Sequence, residues 1–166
     1  MLAAVTAHHL AFNAKNLPPA EAKPVKDFLR SEAADLREIN SLIRRAKRAA
    51  LDIRRQAQAR YSGFHVGAAL IDRSGEIITG ANVESSSYGL TICAERVALT
   101  YALTHGMNGI IACIVAAEGE TPVAPCGACR QLIHDYAPDS LIIMLNTHGA
   151  EEQQFISDLL PMAFTL

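Results

Sequence analysis

Apolar positions return along this chain with two different periods. From Asn40 onward Ile43, Ala46, Ala50, Ile53 and Ala57 recur at intervals of three and four, which gathers them on one face of a helix. Beyond Tyr61 the pattern changes. Val66 to Ile71 is a continuous apolar run, Asp72-Arg73-Ser74-Gly75 supplies turn chemistry, and Glu76 to Thr79 resumes, which predicts a β-hairpin with a four-residue connection. Cys93 to Leu103 is helical in pattern, and Ile110 to Ala117 is an apolar, β-branched strand. Gly127 to Tyr136 predicts a second helix of this region, ending before Pro138, and Leu141 to Leu145 another buried strand followed by a turn near His148-Gly149. A last strand or short helix precedes Leu159-Leu160-Pro161. The order β-β-α-β-α-β, with strands apolar on both faces, predicts a three-layer α/β/α domain.

The first 38 residues do not share this regularity. Asn16-Leu17-Pro18-Pro19 and then Pro24 break regular structure, while Asp27 to Leu36 has the composition of a short helix. The expected organisation is an extension over 1–38, an ordered arm or flexible tail, followed by a catalytic domain over 39–166. Met1 to Leu10 is mildly apolar, but it has no charged n-region, no long h-region and no small-residue cleavage site, so it does not read as a secretory signal. Acidic residues are absent until Glu21, as in transit peptides, but so is any arginine before Arg30.

Composition narrows the function classes. A chain of 166 residues that is 50% hydrophobic and 19% charged is long enough to bury one real core. No apolar run approaches the ~20 residues of a membrane-spanning helix. With a formal net charge of −2, no global field attracts nucleic acid or an anionic membrane, which leans toward a small, roughly neutral ligand. Positive charge is local: Arg44, Arg45, Lys47, Arg48, Arg54, Arg55 and Arg60 load the polar side of the Asn40 helix. A solvated face is the ordinary reading of such a run, with a subunit interface or an anion site as the sharper one. The four cysteines, Cys93, Cys113, Cys126 and Cys129, could make two disulfides, but the chain is not a small secreted scaffold short of core. Clustered cysteines in an intracellular enzyme more often bind metal or take part in chemistry, with the cytoplasm as the default compartment.

The chemistry concentrates in Cys93-Ala94-Glu95 and Pro125-Cys126-Gly127-Ala128-Cys129. Three thiolates suit tetrahedral Zn²⁺ with Zn–S bonds of ~2.3 Å and leave a fourth position open, the mark of a catalytic rather than a structural zinc. Cys113 lies inside the strand Ile110 to Ala117 and reads as a small buried hydrophobe; as a fourth ligand it would close the site. Both ligand clusters fall where a loop enters a helix, whose N-terminal partial charge favours thiolate. Three thiolates leave the cluster net negative. At least one of Arg96 and Arg130, which each follow a ligand segment directly, is therefore expected to donate to the ligand sulfurs and restore Lewis acidity. Glu95 is not needed as a ligand. A carboxylate beside an open zinc can take a proton from bound water and deliver it elsewhere. Zinc nucleobase deaminases combine such a glutamate with P-C-x-x-C.

With these segments, and with Tyr61-Ser62-Gly63-Phe64-His65-Val66-Gly67-Ala68-Ala69-Leu70, Gly80-Ala81-Asn82-Val83-Glu84 and Leu159-Leu160-Pro161-Met162-Ala163-Phe164, the chain resembles the cytidine deaminases of the short, homotetrameric, three-cysteine type. The resemblance runs from about Ser41 to the C-terminus. It implies a mixed, mostly five-stranded sheet in the α/β/α fold, and hydrolytic conversion of cytidine and 2′-deoxycytidine to the uridine nucleosides with release of ammonia. It implies zinc on Cys93, Cys126 and Cys129, and Glu95 as the proton carrier between water, N3 of the base and the leaving amine. It further implies that Asn82 and Glu84 hold the ribose 3′-hydroxyl, that Phe64 and Ala94 line the base site, and that Tyr88 and Phe164 reach into a neighbouring subunit's site. The chemistry of the side chains agrees: an amide and a carboxylate two apart on an extended segment share a side and offer both donor and acceptor to a hydroxyl, and an aromatic wall suits a planar pyrimidine. Two features depart from the family pattern. Ala59-Arg60 stands before Tyr61 where the family usually carries a proline, and the 1–38 extension has no counterpart in the minimal family.

Three rival readings remain at this stage. A deaminase of a modified cytosine nucleoside such as blasticidin S, or of a polynucleotide, shares the zinc chemistry, although Glu84 would repel a 3′-phosphate. A non-catalytic zinc module would use all four cysteines and bind RNA through the basic helix. A disulfide-linked structural protein would hold no metal.

Overall fold

The structure is a computed structural model that describes residues 33–107 and 109–165. The chain divides into two compact units, Met1–Arg44 and Arg45–Leu166. The residues discussed from here on belong to the second. Of the predicted Asp27 to Leu36 helix only residues 33–36 are described; they begin a helix that continues unbroken to Ile53, across the expected boundary at 38/39, and residues 1–32 lie outside the described residues.

The elements run α1 (Ala33–Ile53), a 3-10 turn (Arg54–Gln56), β1 (Val66–Asp72), β2 (Ile77–Ala81), α2 (Ala94–Thr104), β3 (Ile110–Ala117), α3 (Gly127–Tyr136), β4 (Leu141–Asn146), β5 (Glu151–Phe155) and the single turn α4 (Ile156–Leu159). The strands form one five-stranded sheet in the order β2-β1-β3-β4-β5. Only β3 and β4 pair in parallel, joined by α3 as a crossover; the other neighbours are antiparallel. The sheet is therefore mixed, as expected. The undecided last element is both a strand and a helical turn. β5 reads Glu-Glu-Gln-Gln-Phe and is exposed along most of its length at the sheet edge, which is why no apolar alternation announced it.

Strand alternation sorts the core into two layers. Ala68 and Leu70 of β1, Cys113 and Val115 of β3, and Ile142 and Met144 of β4 pack with Ala94, Ala98, Leu99 and Ala102 of α2, Ile133 of α3 and Ile156 of α4. Ala69 and Ile71, Ala112 and Ile114, and Ile143 and Leu145 are buried on the opposite side of the strands. On that side lie residues 45–53 of α1, whose Ala46 and Ala50 are fully buried. Two glycines let helices approach this closely. A Cβ at Gly67 of β1 would sit 2.1 Å from the Ala50 carbonyl oxygen. One at Gly80 of β2 would sit 2.5 Å from the Ala98 amide nitrogen and 2.6 Å from the Ala94 carbonyl oxygen. Glycine at 80 thus presses the first turn of α2, where the predicted chemistry lies, onto the sheet.

The basic surface of the first helix resolves into two kinds of residue. Arg45, Arg48, Arg55 and Arg60 are exposed, as a solvated face requires. Lys47 and Arg54 are partly covered and paired, Lys47 with Glu151 of β5 and Arg54 with Glu118 just beyond β3. Among the described residues no helix is long and apolar enough to cross a membrane.

Candidate active site

Cys93 and Cys126 occupy equivalent places. Each is the extended residue immediately before a helix, with φ −67° and ψ 154° at Cys93 ahead of α2, and φ −65° and ψ 165° at Cys126 ahead of α3. Cys129 follows one turn into α3 and is fully buried. The helices thereby turn their N-terminal ends toward three sulfurs that lie within 4.8 Å of one another. Cys93 Sγ is 3.8 Å from Cys126 Sγ, which is 3.5 Å from Cys129 Sγ. A tetrahedral zinc with bonds of about 2.3 Å holds its sulfur ligands about 3.8 Å apart, so this donor set fits the ion in number, type and spacing. Cys113 is not in the cluster. It is fully buried in β3, where burial pushes its thiol well up, so among the described residues the group offers three ligands and not four. All four cysteines are free thiols.

The Cys93 thiol is drawn down to about 5, first by a hydrogen bond from Cys129, with Arg96 and Cys126 adding to it against the opposing effect of burial. The Cys129 thiol is pushed up by the same hydrogen bond. Arg96 Nη2 donates to the Thr91 carbonyl at 2.7 Å and lies 3.8 Å from Cys93 Sγ, so it reaches a ligand sulfur. Arg130 makes a different contact from the one its position suggested. Its Nε donates to the Pro125 carbonyl at 2.7 Å and its Nη1 to the Leu159 carbonyl at 3.0 Å, which fixes the backbone ahead of Cys126 and ties it to the C-terminal segment.

Beside the sulfurs is a cavity of about 180 Å³ whose walls include Phe64, Asn82, Cys93, Ala94, Glu95 and Cys126. Glu95 is only 4% exposed. Burial pushes its carboxyl up, a backbone hydrogen bond opposes the rise, and negative charge on Cys93 adds to it. A buried carboxyl whose pKa is raised, next to a site that fits a metal, is equipped to hold a proton and pass it on.

Sequence reasoning brought Phe64, Asn82, Cys93, Ala94, Glu95 and Cys126 to this cavity, and the structure places all of them on its wall. The remaining predicted residues stand elsewhere. Glu84 accepts hydrogen bonds from the Tyr61 amide at 2.8 Å, the Ser62 amide at 3.1 Å and the Ser62 hydroxyl. These bonds, the Ser62 hydroxyl first, hold its carboxyl below the ordinary range. Asn82 uses its side chain on the backbone, accepting from the Val66 amide at 2.8 Å and donating to the Phe64 carbonyl at 3.0 Å. In this structure both residues thus brace the Tyr61–Val66 segment that carries Phe64. Tyr88 and Phe164 are 81% and 67% exposed and do not line the cavity. Thr91, Val123 and Ala124 do line it and were not singled out in the sequence. They sit in loops without periodicity, and closeness to Cys93 and Cys126 was their only signal.

The chain matches the family described as "Cytidine and deoxycytidylate deaminase zinc-binding region" over residues 40–145. It is 45% identical over 117 residues to a cytidine deaminase of Halalkalibacterium halodurans, covering 70% of this chain and 89% of that protein. A blasticidin-S deaminase of Bacillus cereus is 32% identical over 109 residues, covering 61% of this chain and 77% of the relative. Among solved structures, a cytidine deaminase from Burkholderia pseudomallei superposes with a TM-score of 0.71 at 42% identity, over 73% of this chain and 98% of that one. The matched stretch contains the three-thiolate cluster and its neighbouring glutamate, and on that ground the chain belongs to the zinc-dependent cytidine deaminase family.

Proposed function

We propose that this protein hydrolyses the exocyclic amine of cytidine and 2′-deoxycytidine, yielding uridine and 2′-deoxyuridine with release of ammonia. The observation that carries the reading is the placement of buried Glu95 on the wall of one small cavity together with two of the three clustered thiols and an aromatic ring. Cys93, Cys126 and Cys129 would hold a zinc ion, which would serve as a Lewis acid toward the attacking water. Glu95 takes the proton of that water and delivers it to N3 of the cytosine ring, which makes C4 electrophilic. After water oxygen has added at C4, the same carboxyl hands a proton to the amine, and ammonia leaves. One group serves as base and then as acid, which its raised pKa suits. Arg96, which donates to Cys93 Sγ, would offset thiolate charge and so strengthen the Lewis acidity of a bound zinc. Phe64 offers a face to the planar base, and Asn82 presents the polar edge of the cavity to the ribose 3′-hydroxyl. Glu84 completes that contact when its bonds to the 61–62 amides exchange for the sugar.

The sites are shared in a homotetramer. Tyr88, Leu90, Met162 and Phe164 are large apolar side chains left mostly exposed, a pattern that marks a surface awaiting a partner. Tyr88 and Phe164 then enter the neighbouring copy's cavity. Four free thiols suit a reducing cytoplasm.

The test joins a zinc assay to ammonia release from cytidine, deoxycytidine, CMP, adenosine and blasticidin S. One zinc per chain with turnover of the first two is expected. Turnover of blasticidin S alone would transfer the activity to the modified nucleoside. Light scattering reads the assembly, and mixing Glu95→Gln with Phe164→Ala subunits should recover activity if Phe164 acts in the neighbour's site.

A further inference from the structure

The loop between β3 and α3 carries two walls of the cavity, Val123 and Ala124, and ends at Cys126. It has no regular structure of its own, so something else must hold it. At its far end Arg130 Nε fixes the Pro125 carbonyl. At its near end Asn146, the last residue of β4, donates from Nδ2 to the Gly119 carbonyl at 3.1 Å and to the Glu120 carbonyl at 2.9 Å. The same side chain accepts, through Oδ1, from the His148 amide at 3.0 Å and the Ala150 amide at 2.7 Å. Asn146 is 3% exposed, and both donors and both acceptor positions of its amide are used. Arg54 adds a second hold from the other side of the sheet by pairing with Glu118. None of Asn146, Arg54 or Glu118 lines the cavity.

We infer that Asn146, assisted by the Arg54–Glu118 pair, is a positioning residue that sets the Val123–Ala124 wall against the base and so tunes nucleoside affinity rather than chemistry. The physical reason lies in where each hold acts. The wall touches the ring in the bound and the reacting states alike, so loosening it removes binding common to both and appears in KM. Cys126 is fixed independently by the Arg130 contact and by its place at the head of α3, so the metal site stays.

The inference rests on the deaminase reading, and the variant that isolates it is Asn146→Asp. Aspartate keeps the shape and still accepts from His148 and Ala150, but it has no donor for the Gly119 and Glu120 carbonyls and sets a negative charge against them. Zinc content, uridine affinity by calorimetry and cytidine kinetics are measured together. The expected result is an unchanged one zinc per chain, with uridine Kd and cytidine KM both weaker by about tenfold and kcat within about threefold of the parent. Glu118→Gln, at a side chain 54% exposed, should shift KM in the same direction by less. Unchanged uridine affinity and KM in Asn146→Asp would overturn the inference, as would zinc loss in step with affinity. Should Asn146→Asp fail to fold, an unchanged KM in Glu118→Gln overturns it. If the parent protein turns over no nucleoside in the panel, it is the deaminase reading that falls.

Discussion

Replacing Gly80 by alanine adds one methyl group at the place where α2 is pressed hardest onto the sheet. The new Cβ would lie 2.5 Å from the Ala98 nitrogen and 2.6 Å from the Ala94 carbonyl oxygen, where ordinary contact begins at 3.4 Å. Both obstacles are backbone, so no rotamer relieves them. The first turns of α2 must withdraw by about 0.9 Å, the shortfall at Ala98. Overpacking of this kind costs about 1–3 kcal/mol of stability. The larger consequence is at the site. Cys93 and Glu95 ride on that turn, whereas Cys126 and Cys129 belong to α3 and stay. Zinc bonds tolerate only about 0.2 Å, and a misplacement near 1 Å costs about 100-fold in rate. Gly80→Ala should therefore fold with a reduced melting temperature, hold zinc less tightly against a chelator, and lose about two orders of magnitude in kcat/KM followed by the ultraviolet change from cytidine to uridine. Full zinc retention with kcat/KM within about threefold of the parent would show that the α2–β2 contact does not set the site, and the reasoning from Gly80 would be wrong.

Other expectations follow from single side chains. Glu95→Gln keeps metal and fold but lowers kcat by between about 10²- and 10⁴-fold, since the amide fills the space without carrying a proton; near-normal turnover would take the residue out of its role. Cys113→Ala leaves one zinc per chain and costs about 1 kcal/mol in urea unfolding, and metal loss in that variant would make Cys113 a ligand after all. Glu84 and Glu118 are held below the ordinary carboxylate range, by the Ser62 hydroxyl bond first and by Arg54 respectively. A depressed carboxylate contributes stability above the unfolded pKa of about 4.3, and that contribution is lost as pH falls through the lower folded value. The stability difference between the parent and Glu118→Gln should accordingly be present at neutral pH and shrink on acidification. A difference that grew toward acid would reverse the assignment.

What the sequence could express was anything that repeats or that has only one chemical use. Ile110–Ala117 and Gly127–Tyr136 emerged at their structural bounds because eight consecutive apolar residues, half of them β-branched, and a helix closed off before Pro138, leave little choice. The three thiols and Glu95 were legible because few chemistries want C-x-E and P-C-x-x-C together. Less was legible where the structure depends on one side chain meeting a distant backbone. Arg130 carries the same local context as Arg96, yet it turns to Pro125 and Leu159 rather than to sulfur. Asn146 closes an apolar strand, a polar residue where the pattern asked for none, and nothing local reveals that it holds carbonyls at Gly119 and Glu120. The segment before Leu159 could be read only as a strand or a short helix, because an edge strand of Glu and Gln has no apolar alternation to settle it.

Two helices of the same layer start at a metal-binding sulfur, and both lie on one shared apolar core. Ion uptake and the seating of that layer are consequently linked equilibria. Free zinc above its dissociation constant raises the melting temperature by mass action. Conversely, a substitution deep under α2 or α3, far from any sulfur, is felt first as an ion that leaks away while the rest of the molecule still looks intact. Inactive variants of this protein are best sorted by metal content before their chemistry is questioned.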